Sequence, residues 1–304
     1  MRMRRRVRVL AVATAGAALI VSSGPSPAGA GTADTTGLTT LTTTFVDTTR
    51  ASPASATQPA VPSRTLVTTI TFPKSAKKPL PLLVLAHGAD GNTNKFDELM
   101  ARWAHAGYVV AAPLFPRSSD VGGNYIQDVA QQPADVSYVI DEVLRLNRAK
   151  KSPLHDRIDR KRIGLGGMSL GGWTSYGAVF HACCRDDRID ALVLMAAVRA
   201  GFDGGEYEFR TIPTLLVHGD ADGLYPHSTA AYPDLVAPKW FVTLHGGTHA
   251  SPFEDSPDPY TEVVGATTTA FWDRYLKGER PAALALEDAV AASGGLATLQ
   301  RDAP

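Results

Sequence analysis

The sequence predicts an α/β fold, with a mostly parallel central sheet and helices packed on both of its faces. From Pro81 to Leu276, short apolar segments typical of buried strands alternate with segments of helical character. Such alternation connects each strand to the next through a helix, which makes the strands parallel. A chain of 304 residues, 44% of them hydrophobic, is long enough to bury one large core. We find no internal repeat and expect one folded domain over residues 42–304.

The first two predicted strands belong to one edge of this sheet. Thr42–Asp47 and Arg64–Phe72 mix β-branched and aromatic residues, a composition that favours strands. The stretch Ser52–Ser63, rich in proline, alanine and serine, separates them. We therefore expect an antiparallel pair here. Residues 31–41 precede it, and their threonines and small residues predict a disordered segment.

The elements that follow are predicted from apolar runs and from helical periodicity. Pro133–Arg148 is amphipathic, and Leu170–Cys183 carries the small and apolar residues of a buried helix. Short, mainly apolar runs predict the strands. In chain order the elements are the strand Leu82–His87, the helix Phe96–Ala106, the strand Tyr108–Leu114, the helix Pro133–Arg148, the strand Arg162–Met168, the helix Leu170–Cys183, the strands Ala191–Ala197, Thr214–His218 and Trp240–Leu244, and the helix Thr261–Leu276.

Residues 1–30 have the three parts of a secretory signal peptide. Met1–Arg8 carries five arginines, Val9–Val21 is apolar, and Ala28-Gly29-Ala30 supplies the small residues of a cleavage site. An apolar core this short is a poor membrane span, so we expect a secreted protein without stable membrane insertion. The arginine cluster fits general export and twin-arginine export equally.

The charge of the remaining chain argues against a nucleic-acid partner. The formal charge of zero includes the five arginines of the signal peptide, and their removal leaves 25 basic against 30 acidic residues. A mature protein of charge about −5, with no run of basic residues, lacks the positive charge that binds the phosphates of nucleic acid.

The two cysteines, Cys183 and Cys184, are adjacent and cannot join distant parts of the fold. In an oxidising compartment they could form a vicinal disulfide, link to another molecule or stay as buried thiols. Two adjacent sulfurs do not by themselves make a zinc site, and we expect no metal.

Ser169 is the candidate nucleophile. Gly167-Met168-Ser169-Leu170-Gly171 fits G-x-S-x-G, a pattern that exposes a serine hydroxyl on a tight turn between a strand and a helix. The predicted strand before it and the predicted helix after it supply the context that this motif requires.

A serine hydroxyl needs a base within hydrogen-bond reach, and the base needs a carboxylate to orient it. In open α/β sheets such groups follow the carboxyl ends of the strands. The strand Thr214–His218 is followed by Asp220 and Asp222. Asp222, farther into the loop, is the candidate acid, and Asp220 is expected to brace the turn.

The candidate base follows the next strand. His245-Gly246-Gly247-Thr248-His249 offers two histidines, and we favour His249 over His245, because two glycines would let the loop carry the imidazole over the serine. The order Ser169, Asp222, His249 is one of the known chain orders of a Ser-His-Asp triad.

The developing oxyanion of acyl transfer needs hydrogen-bond donors, usually two backbone N–H groups. The first candidate is the N–H of Leu170, directly after the nucleophile. The second is the N–H of Ala89, in the loop that follows the strand Leu82–His87. Asp90 would oppose an oxyanion, so we expect its side chain to face the loop or solvent.

With these residues the chain resembles the secreted bacterial α/β-hydrolases of the chlorophyllase-like, platelet-activating-factor-acetylhydrolase-like and dienelactone-hydrolase-like group. It is also similar to lipases and cutinases. This resemblance implies the α/β-hydrolase fold without a large lid domain and a serine esterase that needs no cofactor, with Ser169, Asp222 and His249 as its triad. The residues that carry it, between about Thr42 and Leu286, are Pro62-Ser63-Arg64-Thr65-Leu66, His87-Gly88, Gln132-Pro133-Ala134-Asp135-Val136, the serine motif, His218–Asp222 and Gly247-Thr248-His249.

The sequence departs from the pattern of this group at three places. Met168 precedes the serine where a histidine is frequent, and Ser169 stands where dienelactone hydrolases use cysteine. Ala196-Ala197-Val198 stands where polyester-degrading cutinases typically place a tryptophan, which argues against a polyester substrate. Val198–Ile212 is too short for the lid domain often inserted there, so we expect an open cleft.

We therefore expect a monomeric carboxylic-ester hydrolase that acts on a small-molecule, lipid or polymeric ester. Lipases, polyester hydrolases, peptidases and cofactor-free haloperoxidases are alternatives on the same fold. A binding protein that has lost catalysis is a further alternative, and the order of the three candidate residues argues against it.

Overall fold

A mixed sheet of nine strands is the central feature of the computed structural model, which describes residues 34–303. The predicted signal peptide, residues 1–30, lies outside the described residues. The strands are β1 (Leu38–Asp47), β2 (Arg64–Pro73), β3 (Leu80–Ala86), β4 (Val109–Leu114), β5 (Ile158–Met168), β6 (Ala191–Met195), β7 (Thr214–Gly219), β8 (Lys239–Leu244) and β9 (Ala297–Asp302).

The spatial order of the strands is β1-β2-β4-β3-β5-β6-β7-β8-β9. The six strands from β4 to β8 are parallel, and β1, β2 and β9 add antiparallel pairs at the two edges. The central strands are buried on both faces, as expected of parallel strands covered by helices. The predicted fold class, the predicted antiparallel edge pair and the α/β-hydrolase fold are confirmed.

Within residues 34–303, six α-helices form the two outer layers. On one face α2, α3 and α4 pack with one set of strand side chains, and on the other α1, α5 and α6 pack with the alternate set. Both helical layers therefore exclude water from the sheet. The helices are α1 (Asp97–His105), α2 (Gln132–Arg148), α3 (Leu170–Phe180), α4 (Tyr225–Ala231), α5 (Thr261–Leu276) and α6 (Ala282–Ala291).

The prediction of disorder over residues 31–41 is wrong for its last four residues. Strand β1 begins at Leu38, and every residue to Asp47 pairs with β2. Leu38 and Leu41 are buried, because the strand presents them to the helical layers. Long-range pairing and apolar burial therefore outweigh the weak local preference of a threonine-rich stretch.

Three elements at the C-terminal side were not predicted. Helix α4 is short, α6 is alanine-rich, and β9 has an Ala-Thr-Leu-Gln-Arg-Asp sequence without apolar alternation. Strand β9 forms because its backbone hydrogen-bonds to the exposed edge of β8. That pairing depends on a neighbour in space, which the local sequence does not reveal.

A buried ionic cluster joins β2 to α2. The Arg64 guanidinium, fully buried, donates hydrogen bonds to both carboxylate oxygens of Asp128 and of Asp135, and Arg50 adds a second contact to Asp135. Arginine satisfies two planar carboxylates at once through its fork of N–H groups. The cluster therefore fixes the edge of the sheet against the start of α2.

Residues 196–213, between β6 and β7, contain no α-helix, in agreement with the predicted absence of a large lid. Aromatic side chains hold this segment against α3, with ring centroids 5.8 Å apart for Trp173 and Phe202 and 4.9 Å apart for His181 and Tyr207. Between residues 34 and 303, none of the helices has the length and apolarity needed to span a bilayer.

Candidate active site

Ser169 lies on a strained turn between β5 and α3. Its backbone has φ 55° and ψ −116°, a conformation that is costly for a residue with a Cβ. A hydrogen bond from the Ser169 N–H to the Met195 carbonyl, 2.9 Å long, holds the turn against β6. The serine side chain is left half-buried at the carboxyl end of β5.

Two glycines make this turn possible by close approach of the backbone. A Cβ on Gly167 would lie 2.2 Å from the Gly171 carbonyl oxygen, and a Cβ on Gly171 would lie 2.1 Å from the Ala86 carbonyl oxygen. Neither position has room for a side chain, which explains the residue types that flank the serine.

His249 and Asp222 lie next to Ser169, each from a different loop. The His249 Nε2 is 2.8 Å from the Ser169 Oγ, and the His249 Nδ1 is 2.6 Å from Asp222 Oδ2. The imidazole is 35% exposed, whereas the carboxylate is 4% exposed. The structure thus brings the three candidate residues into one hydrogen-bonded chain that opens to solvent at the serine.

The competing pair occupies a different place. His245 Nδ1 is 2.8 Å from Asp220 Oδ2, and the Gly246 N–H donates to Asp220 Oδ1 over 2.7 Å. Both side chains are exposed by more than a third. Asp220 therefore links the loops after β7 and β8, a bracing role consistent with the expectation for it, and His245 does not contact Ser169.

The two glycines before His249 act by close packing. A Cβ on Gly219, at the end of β7, would lie 2.1 Å from the Gly247 carbonyl oxygen, and the Ala221 N–H donates to that oxygen over 3.1 Å. Gly246 has φ 77°, which favours glycine. The Gly246-Gly247 pair thus lets the loops after β7 and β8 touch, and this contact brings Asp222 and His249 together.

Asp222 has three hydrogen-bond donors. The Leu224 N–H donates to Oδ1 over 2.9 Å, while His249 and His218 both bind Oδ2, at 2.6 and 2.7 Å. Burial raises the pKa of the Asp222 carboxyl, but these hydrogen bonds outweigh burial, so the pKa lies below its usual value. The carboxylate is therefore ionised at neutral pH.

His218, a neighbour of Asp222, was not predicted as a site residue. It is fully buried at the end of β7, and its Nδ1 is 2.7 Å from the Ser228 Oγ on α4. Burial lowers the pKa of His218, although the carboxylate of Asp222 opposes the shift. A histidine four residues before the candidate acid, at the end of an apolar strand, was the available signal.

Of the two candidate oxyanion donors, Leu170 directly follows the serine and Ala89 lies in the loop after β3. The loop after β3 touches the serine turn, because a Cβ on Gly88 would lie 3.2 Å from the Ser169 Cβ. Within residues 34–303, the N–H groups of Ala89 and Leu170 donate no hydrogen bond. Asp90 is exposed, as expected, and its N–H donates to the Ser118 carbonyl.

A buried histidine braces this loop. The Phe115 N–H donates to His87 Nε2 over 2.9 Å, so the proton of the neutral ring is on Nδ1, which donates to the Gly88 carbonyl over 2.7 Å. Burial lowers the pKa of His87 to about 4, so this arrangement persists at neutral pH.

Two clusters in the described part of the chain have three possible metal ligands each. In the first, Cys183 and Cys184 form a disulfide beside His181, so their thiolates are not available as ligands. In the second, Asp222 lies between His218 and His249 at hydrogen-bond distances. The expected absence of a metal and of a cofactor stays a prediction.

Comparison with known proteins supplies the family context. The model of a family described as PET hydrolase-like matches residues 21–281. The solved structure of a ferulic acid esterase from Streptomyces cinnamoneus superposes with a TM-score of 0.63 at 20% identity, covering 87% of this chain and 96% of that one, and shows a common fold. The search of curated proteins gave no significant match.

Proposed function

Because the chain belongs to the PET hydrolase-like family, we propose that it is an exported ester hydrolase whose reaction passes through an acyl-enzyme on Ser169. The family makes the chain a carboxylic ester hydrolase of the serine type. The identity of the triad, the export and the substrate are the parts proposed here.

The observation that carries the proposal is the hydrogen-bonded chain from Ser169 through His249 to Asp222. Its two links, of 2.8 and 2.6 Å, have the lengths of hydrogen bonds that transfer or orient a proton. Asp222 is ionised and accepts only, so Nδ1 of His249 carries the ring proton. Nε2 is then free to accept the proton of the serine hydroxyl.

The reaction follows from this geometry. His249 takes the Ser169 proton as Oγ attacks the ester carbonyl, and the Asp222 carboxylate stabilises the resulting imidazolium. The tetrahedral oxyanion accepts hydrogen bonds from the Leu170 and Ala89 N–H groups. The imidazolium protonates the departing alcohol, leaving an acyl-enzyme, and a water activated by His249 then releases the acid and restores Ser169.

A polyester is the second candidate substrate. The family model is named for hydrolysis of such a polymer, and the segment from residue 196 to 213 carries no helix that would close over the serine. Val198 lies beside the serine turn, since its N–H is 3.4 Å from the Ser169 carbonyl. A valine offers an aromatic polymer less contact area than a tryptophan would, so we place polyesters after smaller esters.

The test is a substrate panel assayed with matched variants. p-Nitrophenyl esters from acetate to palmitate, a triglyceride, an anilide and a polyester film separate esterase, lipase, peptidase and polyester hydrolase. We expect ester hydrolysis, and we expect Ser169→Ala and His249→Ala to lower kcat by several orders of magnitude. His245→Ala is the control and should stay within about twofold of wild type, because its partner is a surface carboxylate.

Three results would contradict the proposal. Retention of ester hydrolysis by Ser169→Ala would exclude the acyl-enzyme on that residue. If His245→Ala lost activity and His249→Ala kept it, the general base would be His245 and not His249. A folded wild type that turns over no member of the panel and is not labelled at Ser169 by an organophosphate would favour the binding-protein alternative.

Export is proposed from residues 1–30. A vicinal disulfide between Cys183 and Cys184 is compatible with an oxidising compartment. When the full chain is expressed, a shortened form with its N-terminus near Gly31 should appear in the culture medium. Recovery of the intact chain from the cytosol alone would refute export.

A further inference from the structure

We propose that His218 is a positioning residue of the esterase site, holding the Asp222 carboxylate in the plane and charge state that His249 requires. The proposal rests on the proposed triad and extends it by a fourth member. The evidence is a set of hydrogen bonds that joins strand β7, the loop after it and helix α4.

His218 binds the same carboxylate oxygen as the proposed base. Its Nε2 is 2.7 Å from Asp222 Oδ2, and His249 Nδ1 is 2.6 Å from that oxygen. A buried histidine with a purely structural role needs only some partner for each ring nitrogen. Here one partner is the oxygen that would stabilise the imidazolium, so any change at His218 acts directly on the proposed triad.

The tautomer of His218 follows from its two partners. Asp222 accepts only, so Nε2 must carry the ring proton. Nδ1 is then an acceptor and takes the hydroxyl proton of Ser228, 2.7 Å away. Burial lowers the pKa of His218, which keeps the ring neutral in the working range.

The groups that face His218 come from three elements. Asp222 lies in the loop after β7, His249 in the loop after β8, and Tyr225 and His227 on α4, where the Tyr225 ring packs edge-on at 5.7 Å. Among these groups the carboxylate is the one within hydrogen-bond distance. A neutral ring that donates to it adds no charge to the site.

The consequence is a carboxylate that cannot rotate. Oδ1 is held by the Leu224 N–H and Oδ2 by His218 from the core side, so the remaining direction at Oδ2 points to His249. Removal of the His218 donor leaves one side of Oδ2 unsatisfied in a buried site. The carboxylate is then free to turn toward other donors, and fewer conformers keep the contact with His249 that the proposed reaction requires.

The experiment compares His218→Leu, which removes the donor at similar volume, with His218→Gln, whose amide N–H reaches toward the same oxygen. For His218→Leu we expect kcat on p-nitrophenyl butyrate to fall about 10- to 100-fold, with KM within about twofold. His218→Gln should recover most of kcat, because its amide N–H replaces the lost donor.

A measurement on the wild-type chain keeps the proposal testable if His218→Leu does not fold. Nitrogen-15 NMR of labelled histidine should show His218 as the neutral Nε2–H tautomer between pH 7 and pH 8. A ring that is protonated on both nitrogens in this range, or that carries its proton on Nδ1, would overturn the proposal.

The same assays separate failure of this inference from failure of the proposed function. A folded His218→Leu with wild-type kcat, beside an inactive Ser169→Ala, would reject the positioning role and leave the triad standing. Equal damage in His218→Gln and His218→Leu would also reject it, since the retained N–H would then have no effect. An active Ser169→Ala would overturn the triad and this extension together.

Discussion

Replacement of Asp222 by asparagine tests the proposed triad most directly, because the side chain keeps its shape and changes one acceptor into a donor. Asp222 accepts from the Leu224 N–H at one oxygen and from two imidazoles at the other. An asparagine has a single acceptor oxygen. The backbone N–H cannot change its role, whereas an imidazole can change tautomer, so the amide oxygen will face Leu224 and the NH2 group will face the two histidines.

That orientation of the amide forces His249, the proposed base, into the other tautomer. His249 must then accept at Nδ1, which moves its ring proton to Nε2, the nitrogen that faces Ser169. A base that already carries a proton there cannot take the serine proton. A wrong tautomer of this kind costs about 10⁴-fold in kcat, or about 5.5 kcal/mol of transition-state stabilisation.

The assay is kcat and KM for p-nitrophenyl butyrate at pH 7, with Asp220→Asn as the control. Asp220 lies two residues before Asp222 in the same loop and pairs with His245 at the surface. The amide oxygen of Asp220→Asn can still accept from the Gly246 N–H, so this variant should stay within about twofold of wild type. Asp222→Asn should keep KM and lose kcat. If Asp222→Asn retains more than about a tenth of wild-type kcat, or if Asp220→Asn is the damaging change, the tautomer reasoning fails.

The pH dependence of stability gives a second readout of the same variant. The pKa of Asp222 is lowered in the folded state, so its ionised form stabilises the fold above the pKa of the unfolded chain. This contribution disappears as the pH falls through the folded-state pKa. The urea midpoint of wild type should therefore exceed that of Asp222→Asn at pH 7 and approach it below about pH 4.

Three further predictions concern stability and the serine turn. Asp255 lines a cavity of about 400 Å³ between α1 and α5, and burial raises its pKa to about 6. As the pH rises from about 4 to 6, the wild type should therefore lose stability, and the thermal midpoint of Asp255→Asn should rise relative to that of the wild type. A constant difference between the two midpoints over this range would contradict the prediction. Gly171→Ala places a Cβ 2.1 Å from a carbonyl oxygen. It should lower the free energy of urea unfolding by about 1–3 kcal/mol and remove most of kcat. Gly201→Ala, which has open space around its Cβ, is the control and should behave as wild type. Arg64→Met leaves two buried carboxylates without their guanidinium partner and should lower the free energy of unfolding by about 3–5 kcal/mol. Arg102→Met breaks a more exposed pair and should lower it by less than about 1 kcal/mol. Equal losses in the two variants would refute the burial argument.

Most of the sheet was predictable from local sequence. The apolar runs around Leu82–His87 and Thr214–His218 identify strands buried on both faces, because such runs have no polar side to expose. The predicted bounds differ from β3 and β7 by one or two residues. The elements that were missed, such as β9, form through pairing with a neighbour and carry little apolar pattern of their own.

The candidate site was predictable as a set of residue types in order. Ser169 was identified from its glycines, and the structure explains them by contacts with the carbonyl oxygens of Gly171 and Ala86. The choice of His249 over His245 had weaker grounds, because it assumed that Gly246 and Gly247 make the loop flexible enough to carry the imidazole over the serine. The structure shows that Gly247 packs directly against the end of β7.

The sequence by itself determined the alternation of strands and helices, the serine turn and the short list of acids and bases that follow the strands. These features depend on residues close together in the chain, through side-chain periodicity and backbone sterics. The tertiary structure decided which members of that list meet. His249 and Ser169 are 80 positions apart, and His218 became part of the site only when β7, its loop and α4 folded onto one carboxylate. Such contacts depend on distances of a few tenths of an ångström between separate elements, and the packing of the whole core sets those distances.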